Sequence, residues 1–178
     1  RFETQWGHGS SPTLFGDLLF LLCDHLTDAY LLAVDARTGK ERWKVDRGDG
    51  RVSHSTPLVV PGPKGPELLV NSSRRLDAYD PATGKLLWYT GTDRQTPIPT
   101  GVFHDGRIYI SRGYRNSDYM AIRPGGSGDV TNTHIDWRVF RGYLWGSAAM
   151  LAVFAAFQFV VSKPVSLIVM GFTPFVRT

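Results

Sequence analysis

The stretch Leu31-Leu32-Ala33-Val34-Asp35-Ala36-Arg37-Thr38-Gly39-Lys40-Glu41-Arg42-Trp43 returns 45 residues later as Leu76-Asp77-Ala78-Tyr79-Asp80-Pro81-Ala82-Thr83-Gly84-Lys85-Leu86-Leu87-Trp88. Leu, Ala, Asp, Thr, Gly, Lys and Trp recur in register, seven matches in thirteen positions, and internal repetition at such a period marks a repeat architecture. The flanks follow the same offset: Ser10-Ser11-Pro12-Thr13-Leu14 corresponds to Ser55-Thr56-Pro57-Leu58. A third copy begins at Ile98-Pro99-Thr100-Gly101-Val102 and runs through Gly106-Arg107-Ile108-Tyr109-Ile110 to Tyr119-Met120-Ala121-Ile122. There the Asp-x-x-Thr-Gly-Lys turn gives way to Arg123-Pro124-Gly125-Gly126-Ser127-Gly128-Asp129, and the closing tryptophan is delayed to Trp137.

Each unit reads as four short strands. In the first they are expected near residues 12–15, 18–23, 30–35 and 41–45, separated by turn residues at Gly16-Asp17, Asp24–Asp28 and Thr38-Gly39-Lys40. The recurring turn has a mechanism. Asp35 and Asp80 can accept hydrogen bonds from turn amides, and Gly39 and Gly84 can take the positive φ that the return of the chain requires. Ala33 and Ala78 leave room for a neighbouring sheet, which Trp43 and Trp88 fill. One such sheet cannot bury both faces, whereas blades stacked around an axis can. The expectation is an all-β chain: a partial β-propeller of about three four-stranded blades over residues 1–138, then an apolar tail over 139–178.

The signature Ala-x-Asp-x-x-Thr-Gly-Lys-x-x-Trp resembles that of the pyrroloquinoline-quinone-like (PQQ-like) repeat family. This family includes quinoprotein alcohol dehydrogenases and the propeller subunit of the bacterial outer-membrane protein assembly machine. Thr4-Gln5-Trp6-Gly7-His8-Gly9-Ser10-Ser11-Pro12 and Ile122–Val130 add to the resemblance, which covers residues 1 to about 138. It implies seven or eight blades in a complete ring, and about 135 residues of this blade size cannot close one. It also implies, for the enzymes, a quinone held over a Trp and under a ring of adjacent cysteines, beside a calcium ion bound by carboxylate and amide side chains. Cys23 is the one cysteine of this chain, so a cysteine pair is missing. The expectation is therefore no cofactor, with PQQ and calcium as the alternative.

The chain carries 20 basic and 16 acidic residues. Arg141, Lys163 and Arg177 lie beyond residue 138, where there is no Asp or Glu, so the propeller portion is close to neutral and the excess charge sits beside the apolar tail. Basic residues flanking a membrane span explain this better than a nucleic-acid partner. Residues 142–162 form a run of 21 without a charge, about 31 Å long as a helix, which matches a bilayer's hydrocarbon thickness. Tyr143 and Trp145 stand at one end of it, and Lys163 and Pro164 follow it. The tail is expected to be a transmembrane helix; a buried helix of a larger protein and a frameshifted stretch are the alternatives. The chain starts at Arg1 without an initiator Met and is expected to be a piece of something longer.

No catalytic residue and no metal site is expected. Cys23, His25 and Asp28 lie close in sequence but lack the second Cys/His pair of a tetrahedral site. Gly125–Gly128 is expected to be a flexible connection rather than a phosphate cradle, since no helix is signalled after it. Asn71-Ser72-Ser73 fits a glycosylation sequon that bacterial origin would void. His8, Ser10, Ser11, His54 and Ser55 precede the proline that opens a unit and would line the central channel. They are the candidate binding residues, because a hydrolase pairing would not repeat with the architecture. Asp35, Gly39, Trp43, Asp80, Gly84 and Trp88 are the structural repeat positions. The function expected is a non-catalytic scaffold for a protein or ligand in the bacterial cell envelope, on the periplasmic side and membrane-anchored through residues 142–162. The alternatives are a piece of a quinone-dependent dehydrogenase and the extracytoplasmic receptor part of a membrane sensor or transporter.

Overall fold

The computed structural model describes residues 7–91, 97–113 and 117–141, and all of their regular structure is β. Three sheets follow one another along the chain. The first holds β1 (Thr13–Phe15), β2 (Leu18–Cys23), β3 (Ala29–Asp35) and β4 (Glu41–Gly48). The second holds β5 (Leu58–Gly62), β6 (Gly65–Asn71), β7 (Leu76–Tyr79) and β8 (Leu86–Thr90). The third holds β9 (Val102–His104), β10 (Arg107–Ser111), β11 (Ser117–Ile122) and β13 (Ile135–Arg141). Each is an antiparallel meander, the blade of a propeller.

The sequence repeat is a repeat of register. Ala33 pairs with Trp43, Ala78 with Trp88 and Ala121 with Trp137, and in each blade the ladder shifts immediately after the alanine. The delayed tryptophan of the third unit thus regains its place despite the long loop before it. In that loop, β12 (Gly128–Asp129) pairs in parallel with β8, so the second sheet has five strands, in the order β12-β8-β7-β6-β5. The Gly-rich segment differs here from the flexible connection expected of it. It is anchored by Glu67, whose Oε2 accepts the Gly125 amide at 3.2 Å and the Trp88 indole N–H at 2.8 Å.

Two cores lie between the blades. Phe20, Leu31 and Ala33 of the first blade meet Leu68, Val70 and Tyr79 of the second. Leu69, Ala78 and Trp88, on the second blade's other face, meet Ile108, Met120 and Ile122 of the third. Alternation along β7 explains this division: Leu76 and Ala78 face forward, Asp77 and Tyr79 face back. Burial of each large apolar side chain contributes on the order of 2 kcal/mol.

The chain divides into two compact units, Arg1–Arg141 and Gly142–Thr178. The transmembrane helix expected at 142–162 lies outside the described residues. Among the described residues no helix is long and apolar enough to cross a membrane.

Candidate functional site

Antiparallel pairing gives each blade two ends. Turns at 36–40 and 80–85 mark one end, and the loops that lead from blade to blade mark the other. The turn end is built locally. The Asp35 carboxylate accepts the Thr38 amide at 2.9 Å, the Thr38 hydroxyl at 2.9 Å and the Arg37 amide at 3.1 Å. Asp80 repeats the pattern with Ala82 and Thr83. Gly39 and Gly84 take φ of 68° and 73°. Hydrogen bonds from the Thr38 hydroxyl, and then from its amide, hold the Asp35 carboxyl below its usual pKa.

The opposite end is where polar groups are buried. Except for Glu67, every buried polar or charged side chain among the described residues lies there, including Asp24, Arg47, Ser53, Ser55, Asn71, Asp77 and Arg112. Between the first and second blades, Arg47 grips Asp24 in a bidentate pair, Nε to Oδ1 at 2.7 Å and Nη2 to Oδ2 at 3.1 Å. Its Nη1 reaches across to Asp77 at 3.1 Å and also donates to the Tyr79 hydroxyl. Asp77 further accepts from Arg51 at 2.8 Å and Arg75 at 2.5 Å. Arg75 lies over the Tyr89 ring, 3.8 Å from its centroid. The side chains of Arg47, Asp24 and Asp77 have no exposed surface. Burial opposes the charge on Arg47, but Asp24, Tyr79 and Asp77 more than offset it and its pKa is raised. Burial pushes the Tyr79 hydroxyl up to about 12, against the pull of Arg47.

Between the second and third blades an amide serves instead. Asn71 Nδ2 donates to the Ser111 carbonyl at 2.9 Å, and Arg112 Nη1 donates to Asn71 Oδ1 at 2.6 Å and to the Ser72 carbonyl at 3.0 Å. A cavity of about 10 Å³ adjoins Ser55, Asn71 and Gly101, room for about one water.

The candidate binding residues fall at this same end, with different roles. Ser55 is buried, and its Oγ donates to the Pro99 carbonyl at 2.9 Å while its amide donates to Ser53 Oγ. Ser10 is buried, His54 is half-buried, and His8 and Ser11 are exposed. His54 packs on Gly9 so closely that a Cβ there would lie 2.8 Å from its Nδ1. The first strands are tied by a ladder that repeats with the blades: the Ser11 amide donates to Thr56 Oγ1 at 3.1 Å, and the Thr56 amide donates to Thr100 Oγ1 at 3.3 Å. Cys23 is buried, and among the described residues no group of three His, Cys, Asp or Glu is placed to hold a metal ion.

Sequence reasoning missed Arg47, Asp77, Asn71 and Arg112. One signal was available: Asp77 stands where the first repeat has Leu32, a charge at a strand position otherwise apolar.

Known proteins share this architecture. The chain is 31% identical over 149 residues to the lanthanide-dependent methanol dehydrogenase of Methylacidiphilum fumariolicum (strain SolV), an alignment covering 77% of this chain and 22% of that one. Among solved structures, the quinohemoprotein alcohol dehydrogenase of Comamonas testosteroni superposes with a TM-score of 0.57 at 20% identity, over 75% of this chain and 21% of its own. BamB of Moraxella catarrhalis superposes with a TM-score of 0.54 at 18% identity, over 74% of this chain and 36% of its own. The chain thus spans between about a fifth and about a third of the length of these relatives. A profile of PQQ-like repeats, described as outer membrane protein assembly factor BamB, matches residues 3–143, and the chain belongs to that family of β-propeller repeat proteins.

Proposed function

We propose that this chain is a non-catalytic scaffold of the bacterial cell envelope that binds a protein or ligand at the polar end of its blades. The observation that carries the reading is how the polar groups at that end are employed. Ser55, Asn71, Asp77 and Arg47 each tie one blade to the next, while His8 and Ser11 are exposed and His54 is half-buried, and these three form part of the accessible rim at that end. A rigid platform with a small accessible rim suits recognition. The similarity to an assembly factor supports this reading. The apolar run 142–162 would anchor the scaffold, so the full chain is expected to sediment with membranes and to resist extraction by salt and alkali.

The second reading, a piece of a quinone-dependent dehydrogenase, is favoured by the identity to the methanol dehydrogenase. Three observations on the described residues weigh against it. Trp43 donates its indole N–H to the Pro81 carbonyl, Trp88 is wholly buried between blades, and Cys23 has no neighbouring cysteine.

Photo-crosslinking side chains placed at His54 and at Lys40 test the proposal in intact envelopes. A specific adduct from His54 and none from Lys40 is expected. Adducts from Lys40 alone would move the binding surface to the turn end and overturn the assignment.

A further inference from the structure

β12 shows what the outer edge of a blade accepts. Its two residues lie in parallel along β8, Gly128 opposite Trp88 and Asp129 opposite Tyr89. The Tyr89 carbonyl accepts the Val130 amide at 2.9 Å, and the Gly91 amide donates to Thr131 Oγ1 at 3.2 Å. Alternate residues of an edge strand turn their peptide groups away from the strand behind it, here Tyr89 and Gly91. A charge lies beside this backbone contact. The Arg75 guanidinium covers the Tyr89 ring, 3.8 Å from its centroid. Hydrogen bonds from the Thr131 hydroxyl and amide, and then the charge of Arg75, hold the Asp129 carboxyl below its usual pKa.

The first blade has the same edge with no strand on it. Lys44 and Asp46 stand 45 residues before Tyr89 and Gly91, and β4 is the last strand of its sheet. The reason is internal to the chain. The strand on β8 comes from the loop between β11 and β13 of the following blade. The corresponding connection of the blade that follows β4, between β7 and β8, is the tight turn at 80–85. That turn meets the side chains of Trp43 and Val45, and no strand among the described residues pairs with the outer β4 backbone. The cation and the ring are present too, with their positions exchanged. Tyr30 stands where the second blade has Arg75, and Lys44 where it has Tyr89, with Lys44 Nζ 4.3 Å from the Tyr30 centroid. The cation of the first blade is thus on the edge strand itself. A blade packed in front does not hide this position: 27% of the Arg75 side chain stays exposed although the first blade packs on that face of the second.

We propose that the outer edge of β4 takes an extended segment of a partner protein as a parallel strand, with a small residue opposite Trp43 and an aspartate or glutamate opposite Lys44. The outward peptide groups of Lys44 and Asp46 supply the main-chain hydrogen bonds, and the Lys44 ammonium selects the acidic residue. The template is within the chain: Gly128-Asp129 occupies the equivalent edge of the second blade in that register. The surface is the rim of the first sheet and not the polar end of the blades, so the inference does not rest on the scaffold reading.

The probe is the chain's own segment, a synthetic peptide of residues 126–133, titrated into the isotope-labelled full chain in detergent while backbone amide resonances are followed. Saturable shifts are expected at Lys44 and Asp46, whose amides point outward, and much smaller ones at Trp43 and Val45. Methylating the peptide's Val130 amide, the group that would bond the Lys44 carbonyl, should abolish binding to the unaltered chain. Lys44→Glu, at an exposed position, should weaken binding by about tenfold or more, since it sets like charges against each other. A peptide carrying Asp129→Lys should bind that variant better than it binds the wild type. The absence of any saturable shift up to about 1 mM peptide overturns the proposal. So does binding that neither the methylated amide nor Lys44→Glu weakens, or a response confined to Tyr89 and Gly91, which would place the peptide on β8 in exchange for β12.

Discussion

The two ends of the blade stack are held by different physics. At the turn end, Asp35 bonds within seven residues of itself and Asp80 within five, near the surface, and the second blade repeats the first. At the polar end, Arg47 reaches Asp24 and Asp77 across 23 and 30 residues, in complete burial, and beside the repeated Ser11–Thr56–Thr100 ladder the two described junctions use different charged and amide groups. The turn end fixes the shape of a single blade. The polar end fixes one blade against the next, and it is the end at which individuality is concentrated.

The largest effect should come from breaking the polar end. Arg47→Leu leaves Asp24 buried without its bidentate partner, and the loss of one member of a buried pair costs about 3–5 kcal/mol. Denaturant unfolding of Arg47→Leu against the wild type measures it. Adding Asp24→Leu should recover much of that loss, since an apolar pair of similar volume is often neutral or better. A double variant no more stable than the single one would mean that Asp24 is not the group Arg47 serves.

Next in size are the turn glycines, which sequence treats as equals. Gly39→Ala should cost about 1–2 kcal/mol for the left-handed backbone alone. Gly84→Ala should cost about 1 kcal/mol or more beyond that, because its methyl would meet Trp43 and Val45 at 2.7 and 2.9 Å. Equal losses in thermal unfolding would place Trp43 elsewhere.

The smallest effects separate the ends by pH. The Tyr79 hydroxyl, raised from 10.0 to about 12 in the fold, contributes stability that is complete below pH 10 and is lost as pH rises towards 12. Tyr79→Phe should remove that alkaline limb. The Asp35 carboxyl is lowered, so its contribution is present above its ordinary value of 3.8 and is lost as pH falls through the folded value. Thr38→Val should therefore be less stable than the wild type at neutral pH and indistinguishable from it in strong acid. Stability curves of the two variants against pH check both signs.

The turn end was legible in the sequence because its causes are local. Asp, Thr and Gly at fixed spacing dictate the turn, and Ala and Trp at fixed spacing dictate the register. The third blade shows the limit of this. Trp137 was placed correctly as the delayed equivalent of Trp88, but nothing in Gly125–Asp129 announced a strand. It lies on β8, and the segment is held there by the Val130 amide on the Tyr89 carbonyl and by Glu67, 58 residues from Gly125. The polar end was half legible for the same reason. That His8, Ser10, Ser11, His54 and Ser55 share one end of the blades followed from the repeat. The use made of each hydroxyl and charge depends on groups brought from other blades, which no local pattern records.

The scaffold proposal excludes a redox cofactor seated at this end. Calorimetric titration of the full chain with pyrroloquinoline quinone, in calcium and separately in a lanthanide, together with dye-linked methanol oxidation, tests that directly. No saturable binding and no dye reduction are expected with either metal. Stoichiometric quinone binding with metal-dependent dye reduction would contradict the scaffold proposal and assign the chain to the dehydrogenases.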